Sequence, residues 1–220
     1  MRDGQAMRDP HVPEELLIGY ANGAISPALA LLVSAHLEQA ERSLEIVSDL
    51  QAAGGALMLD DVPATLAEGA LDQVLAAIDD DPGAPAGETV RAELDPGPLP
   101  AELIQVIGVD FDQIPWKLRL PGIAEYEIEG FGAERVCLVR GRPGAGIPQH
   151  THSGNEITLV LTGALQDGDM LFEAGDISIN DEHDEHMPRV TGCETCYCLV
   201  VLSGPLRFTG MFSRALNYFT

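Results

Sequence analysis

The hydrophobic period of this chain changes once, and the change restricts the folds open to it. From about residue 10 to about residue 80, apolar residues recur at helical spacing; beyond Leu99 they alternate two by two. Between the two regimes lie Pro82, Gly83, Pro85 and Gly87, then Pro96, Gly97, Pro98 and Pro100, a composition typical of a linker. A chain of 220 residues has room for two compact units. The expected division is a small all-α domain over residues 1–82, a linker over 83–99 and an all-β domain over 100–220.

In the first half, Pro13 opens a helix whose first turn carries Glu14 and Glu15, favourable next to free backbone N–H groups. Ser26 before Pro27 predicts an N-cap and a first helical residue. A helix is expected from Ala28 to about Leu50, with Leu29, Leu32, Val33, Leu37, Leu44 and Val47 on a broad apolar stripe. Gly54 and Gly55 should break or loosen it, and a last helix should run from about Ala64 to Ile78. In the second half, alternation predicts strands over 116–120, 124–129, 134–140, 156–162, 169–172, 176–180, 194–202 and 206–212. Many short strands with glycine and proline turns indicate an antiparallel sandwich or barrel.

Within the strand half, His150, His152 and Glu156 are separated by two and then four positions. On an extended chain the three side chains leave one face. Two imidazoles and a carboxylate on one face are the outline of a divalent-metal site, and His183 and His186 are the available fourth ligands. Tyr126, Arg140 and Gln149 are candidates for lining a pocket beside it.

Charge narrows the function classes. There are 35 acidic against 12 basic residues, a net charge of −23, and a single lysine, Lys117. A direct nucleic-acid binder concentrates lysine and arginine, so that class is excluded, whereas a basic protein partner is permitted. No run of 18 apolar residues exists, so no membrane helix is expected. The opening residues lack the apolar run of a secretory signal, and the expected location is cytoplasmic. The four cysteines, Cys137, Cys193, Cys196 and Cys198, are then expected to be reduced. Cys193 and Cys196 have the spacing of half a zinc or redox motif, whereas Cys196, Cys198 and Val200 alternate as one apolar face of a strand. Core packing is the expected role.

Residues 144–163 resemble the first motif of the cupins: Gly144, His150, His152, Glu156 and Gly163 all stand in register. The second cupin motif is degraded. Gly175 and His186 match, but Asp181, His183 and Val190 replace its proline, glycine and asparagine. The resemblance implies a double-stranded jelly-roll barrel and makes His186 the fourth ligand beside His150, His152 and Glu156.

The helical half resembles the zinc-binding anti-sigma domain, in which a histidine precedes a His-x-x-x-Cys-x-x-Cys run. His11 and His36 match, while Ala40 and Ser43 occupy the two cysteine positions. Neither a methyl nor a neutral hydroxyl replaces a thiolate, so no structural zinc is expected there. The order of the two halves is similar to that of the ChrR-type anti-sigma factors. This resemblance implies a partner, an extracytoplasmic-function sigma factor, inhibited by the helical domain. It also implies a zinc-binding cupin linked to the response to singlet oxygen or organic hydroperoxides.

The residues themselves do not choose between Zn2+ and Fe2+, Mn2+ or Ni2+; the family favours zinc. The apolar residues expected to meet the partner are Leu16, Leu17, Leu29, Leu32, Leu71 and Leu75. A metal-dependent, dioxygenase-like cupin enzyme with a helical accessory domain is the alternative.

Overall fold

The computed structural model describes residues 12–80 and 94–210. His11 therefore lies outside the described residues, as do most of the expected linker and the end of the last expected strand. Among the described residues, a helical segment precedes an antiparallel jelly roll.

The helices are α1 (Glu14–Ala21), α2 (Pro27–Leu37), α3 (Glu41–Leu59), α4 (Ala70–Asp80) and α5 (Ala101–Ile107), with a 3-10 turn after them at Phe111–Gln113. Ser26 caps α2 as expected, its hydroxyl accepting from the Leu29 N–H at 3.3 Å. Helix α2 is apolar nearly all round, burying Ala28, Leu31, Leu32, Val33 and Ala35, because it lies between α1, α3, α5 and the barrel.

Three expectations about helix ends are corrected. The chain does not continue helically through residues 38–40: Ala40 leaves the helical region at φ −133° and ψ 84°, and α3 begins afresh at Glu41. Conversely, Gly54 and Gly55 do not stop α3, which runs through them to Leu59. Each glycine costs about 1 kcal/mol relative to alanine in a helix, which weakens a helix without ending it. The last helix also starts six residues later than expected, at Ala70.

The eleven strands are β1 (Lys117–Leu120), β2 (Ile123–Ile128), β3 (Arg135–Gly141), β4 (His150–His152), β5 (Glu156–Thr162), β6 (Ala164–Asp167), β7 (Met170–Glu173), β8 (Ile177–Asn180), β9 (Arg189–Thr191), β10 (Cys196–Leu202) and β11 (Leu206–Phe208), counted among the described residues. The main sheet has the order β1-β2-β3-β10-β5-β8. Opposite it lie the ladders β7-β6-β9 and β11-β4, drawn together by single bridges pairing His150 with His186 and Gly146 with Arg189.

Strand alternation divides the main sheet between two cores. Val136, Leu138, Ile157, Leu159, Leu161, Leu199 and Val201 pack outward with α1, α2, α3 and α5. Val160, Cys196, Cys198, Val200 and Leu202 pack inward with Phe172 and Val190. The helices thus cover one face of the sheet and the barrel interior lies on the other.

Polar contacts tie α2 to α5. Glu38, at the end of α2, accepts the Ala101 and Glu102 N–H groups at 2.9 and 3.0 Å, supplying the anionic cap that the first turn of α5 lacks locally. The Ser34 hydroxyl donates to the Glu102 carboxylate.

Candidate metal centre

Strand β4 presents His150 and His152 on one side, with Thr151 between them half-buried. Strand β5 opens with Glu156, and the segment before β9 returns His186 opposite His150 through reciprocal backbone hydrogen bonds of 3.0 Å. Geometry requires two of the motif glycines. Gly163 has φ +74°, and a Cβ on it would come within 2.9 Å of the Cys196 Cα; Gly175 has φ +91° at the turn into β8.

One ligand atom from each of His150, His152, Glu156 and His186 lies within 4.8 Å of the others, and all four residues are buried. His152 Nε2 is 2.8 Å from Glu156 Oε2, and His186 Nε2 is 3.8 Å from Glu156 Oε1. These separations bracket the edge of about 3.3 Å that a zinc tetrahedron with bonds of about 2.0 Å requires. The rings of His150 and His186 lie 4.3 Å apart, centroid to centroid.

Hydrogen bonding tests whether an ion fits. Nε2 of His150, of His152 and of His186 are all buried without a well-aligned hydrogen-bond partner, the short approach of His152 to Glu156 included. An unmet buried polar atom costs about 1–3 kcal/mol, so three converging on one point are poorly explained by packing and well explained by a cation. His150 uses its other nitrogen, Nδ1, to donate to the Pro148 carbonyl at 2.9 Å, which leaves Nε2 as the free lone pair. Burial, with the His186 charge second, lowers the His150 pKa to about 4, keeping this ring neutral and ready to ligate. Burial alone would raise Glu156, but the contact with His152 and the charges of the surrounding imidazoles outweigh it and hold the carboxyl below its usual range.

His183 is separated from this cluster: its side chain is 84% exposed and its backbone N–H is taken up by Asp181 in the turn. Of the three residues expected near a pocket, none lines the interior cavity. Tyr126 packs on the helix-facing side of the sheet, Arg140 stacks over Trp116 at 4.8 Å, and the Gln149 carbonyl receives the Thr209 N–H.

The interior cavity holds about 100 Å3 and is walled by Val139, Leu165, Val190 and Val200, by Cys137, Cys196 and Cys198, and by Glu156. Cys196 and Cys198 point the same way from β10 with sulfurs 3.6 Å apart, while Cys193 is exposed on the preceding turn. The alternation therefore describes these cysteines better than the Cys193–Cys196 spacing does. Burial pushes the Cys137 thiol up to about 12, and the neighbouring Cys196 thiol together with burial raises Cys198, so both stay protonated. Glu125, Glu127 and Cys137 form a second cluster of possible ligands, but Arg119 and Arg135 already neutralise its carboxylates.

In the helical half, His36 is fully buried and both ring nitrogens are engaged by protein groups. Nδ1 donates to the Gly175 carbonyl at 2.7 Å, and Nε2 accepts from the Ser43 hydroxyl at 2.9 Å. Ala40 is also buried. Burial lowers the His36 pKa, although the Gly175 carbonyl and the Asp176 charge act the other way.

A jelly roll whose first motif places His, His and Glu on the inner face, with a further His returned from the second motif, defines a cupin. The match extends beyond the barrel. The ChrR cupin-like domain family matches residues 105–206. The anti-sigma-E factor ChrR of Cereibacter sphaeroides is 35% identical over 210 residues, covering 95% of this chain and 96% of that protein. The chain belongs to the family of ChrR-type anti-sigma factors. A crystal structure of Rhodobacter sphaeroides SigE in complex with the anti-sigma ChrR superposes with a TM-score of 0.73 at 32% identity, covering 88% of this chain and 98% of that one.

Proposed function

We propose that this protein is an anti-sigma factor that binds and inhibits an extracytoplasmic-function sigma factor. In this reading, residues 1–82 form the sigma-binding helical domain, 83–99 a linker and 100–220 the cupin, and the protein acts in the cytoplasm. The carrying observation is α4: Leu71, Val74, Leu75 and Ile78 are 50–68% exposed, and the helix buries no residue of its own. Leu57, Met58 and Leu59 at the end of α3 are more exposed still. Apolar stripes of this kind mark protein interaction surfaces. The similar ChrR was crystallised with SigE, which makes a sigma factor the partner of choice.

The expected contact residues differ in exposure. Leu16, Leu17 and Leu32 are buried in the chain's own core, and Leu29 is half-buried against it. Only Leu71 and Leu75 of the expected set are free, so the proposed contact shifts to α4 and the end of α3.

The cupin is proposed to hold one divalent ion through His150, His152, Glu156 and His186, zinc in the first instance, in a response to singlet oxygen or organic hydroperoxides. Three neutral imidazoles and one carboxylate would leave a +1 centre suited to closed tetrahedral coordination. The four residues come from three separate segments, so the ion would cross-link β4, β5 and the segment entering β9. Strand β8 links that site to the helices: it starts beside Gly175, which His36 contacts, and ends at Asn180, the register partner of Glu156.

The test is co-purification of the full chain with candidate extracytoplasmic-function sigma factors, then transcription from their promoters. A stable complex and suppressed transcription are expected, with release on oxidant exposure. Failure to bind any of them would overturn the anti-sigma reading.

A further inference from the structure

Of the three histidines around the proposed ion, His186 is delivered by the least regular segment. Its approach lacks the proline, glycine and asparagine of the second cupin motif, carrying Asp181, His183 and Val190 instead. Something else must fix the ring. His186 Nδ1 lies 2.7 Å from Asp167 Oδ2, and the other carboxylate oxygen, Oδ1, accepts the Met187 N–H at 3.3 Å. Asp167 is the last residue of β6, so its carboxylate stands on a regular strand and reaches both a side chain and a backbone group of the irregular one. The other two rings have no charged group on Nδ1. His150 uses the Pro148 carbonyl, and His152 Nδ1 has no hydrogen-bond partner.

We propose that Asp167 is the positioning residue of this centre. Its carboxylate, through its charge and its two acceptor oxygens, holds His186 in the tautomer protonated at Nδ1 and so presents the Nε2 lone pair to the ion. The proposal deepens the metal reading and rests on it. An imidazole has one N–H when neutral, and a carboxylate cannot donate, so the ring proton is placed on Nδ1 and kept off Nε2. The negative charge also raises the donor strength of Nε2, as outer-sphere carboxylates do for metal-bound histidines. It brings the charge of the centre plus its outer shell from +1 to zero. No cupin motif position specifies Asp167; the chain places here, on a neighbouring strand, the support that the degraded turn no longer provides.

The experiment compares full-length wild type, Asp167→Ala and Asp167→Asn. Each is titrated with Zn2+ against a chromophoric chelator, melted with and without Zn2+, and measured by imidazole nitrogen NMR in the metal-free state. Asp167→Ala is expected to weaken zinc binding about 10–100-fold, the range for lost outer-shell partners of metal-binding histidines. Its metal-free melting temperature should fall through the lost hydrogen bonds, and the rise on adding Zn2+ should shrink as well. The His186 signals should move from the Nδ1-protonated tautomer towards a mixture. Asp167→Asn offers one acceptor and no charge, and should weaken binding by more than about twofold but less than the alanine variant. Should Asp167→Ala fail to fold, Asp167→Asn carries the test alone. A wild-type zinc affinity in Asp167→Asn would overturn the proposal. A wild type that binds no divalent ion would instead overturn the metal reading beneath it.

Discussion

His36 and Gly175 are 139 positions apart in sequence, yet the imidazole Nδ1 of one lies 2.7 Å from the carbonyl oxygen of the other. The same ring accepts from Ser43, which stands where the related zinc domains carry a cysteine. One buried histidine thus joins α2 to α3 and both to the turn that opens β8. A ring nitrogen free for a metal in the resemblance is here committed to a hydroxyl.

Ser43→Ala should destabilise the protein. It leaves His36 Nε2 buried without a partner, at a cost of about 1–3 kcal/mol. Chemical denaturation of the two proteins in the presence of a chelator measures it, and an unchanged midpoint would show that the hydrogen bond contributes nothing.

The same histidine sets a pH dependence with a definite sign. Its folded-state pKa is lowered by burial, so the unfolded chain binds the proton more readily. The stability it contributes is complete above the unfolded value of about 6.5 and is lost as pH falls below that towards the lowered folded value. His36→Gln keeps an amide that can donate to Gly175 and accept from Ser43 without titrating. Unfolding free energy measured at stepped pH should therefore fall less on acidification in this variant than in wild type; parallel curves would refute the assignment.

Metal content gives a third prediction. Gently purified protein should carry about one divalent ion per chain, and His150→Ala or His152→Ala should remove most of it. Elemental analysis decides, and about two tightly held ions per chain would show that the helical half binds metal despite Ala40 and Ser43.

Sigma-factor binding should depend on exposed leucines and not on buried ones. Leu71→Asp and Leu75→Asp each alter a residue at least half exposed, so stability should change by no more than about 0.5 kcal/mol. Binding should weaken about tenfold or more if these residues lie at the centre of the contact. Calorimetric titration with the sigma factor separates the two effects, and unaltered affinity in both variants would move the interface elsewhere.

Legibility in the sequence tracked the range of the forces involved. Strand β5, the cap of α2 and the convergence of His150, His152 and Glu156 rest on neighbours a few residues away, and local patterning captured them. The break at Ala40 is marked by neither glycine nor proline, so local patterning ran the helix through it. Helix α5 is short, comes after a proline-rich stretch and takes its cap from Glu38, more than sixty positions earlier. Asp167 was equally invisible, since its role exists only once β6 lies beside the segment carrying His186. Of the expected contact leucines, the chain itself covers Leu16, Leu17 and Leu32, because periodicity identifies an apolar face without saying what covers it.

Helix α4 has a thermodynamic consequence of its own. Its eleven residues bury nothing, and helices shorter than about 12–15 residues are marginal in water when nothing packs on them. In the free protein α4 should therefore exchange rapidly with uncoiled forms, and partner capture should complete it. Association would then carry a negative heat-capacity change larger than rigid docking predicts, with part of the binding enthalpy offset by ordering entropy. Side-chain replacements that raise helix propensity on the solvent face of α4, touching no partner atom, would tighten the complex by lowering that entropic cost.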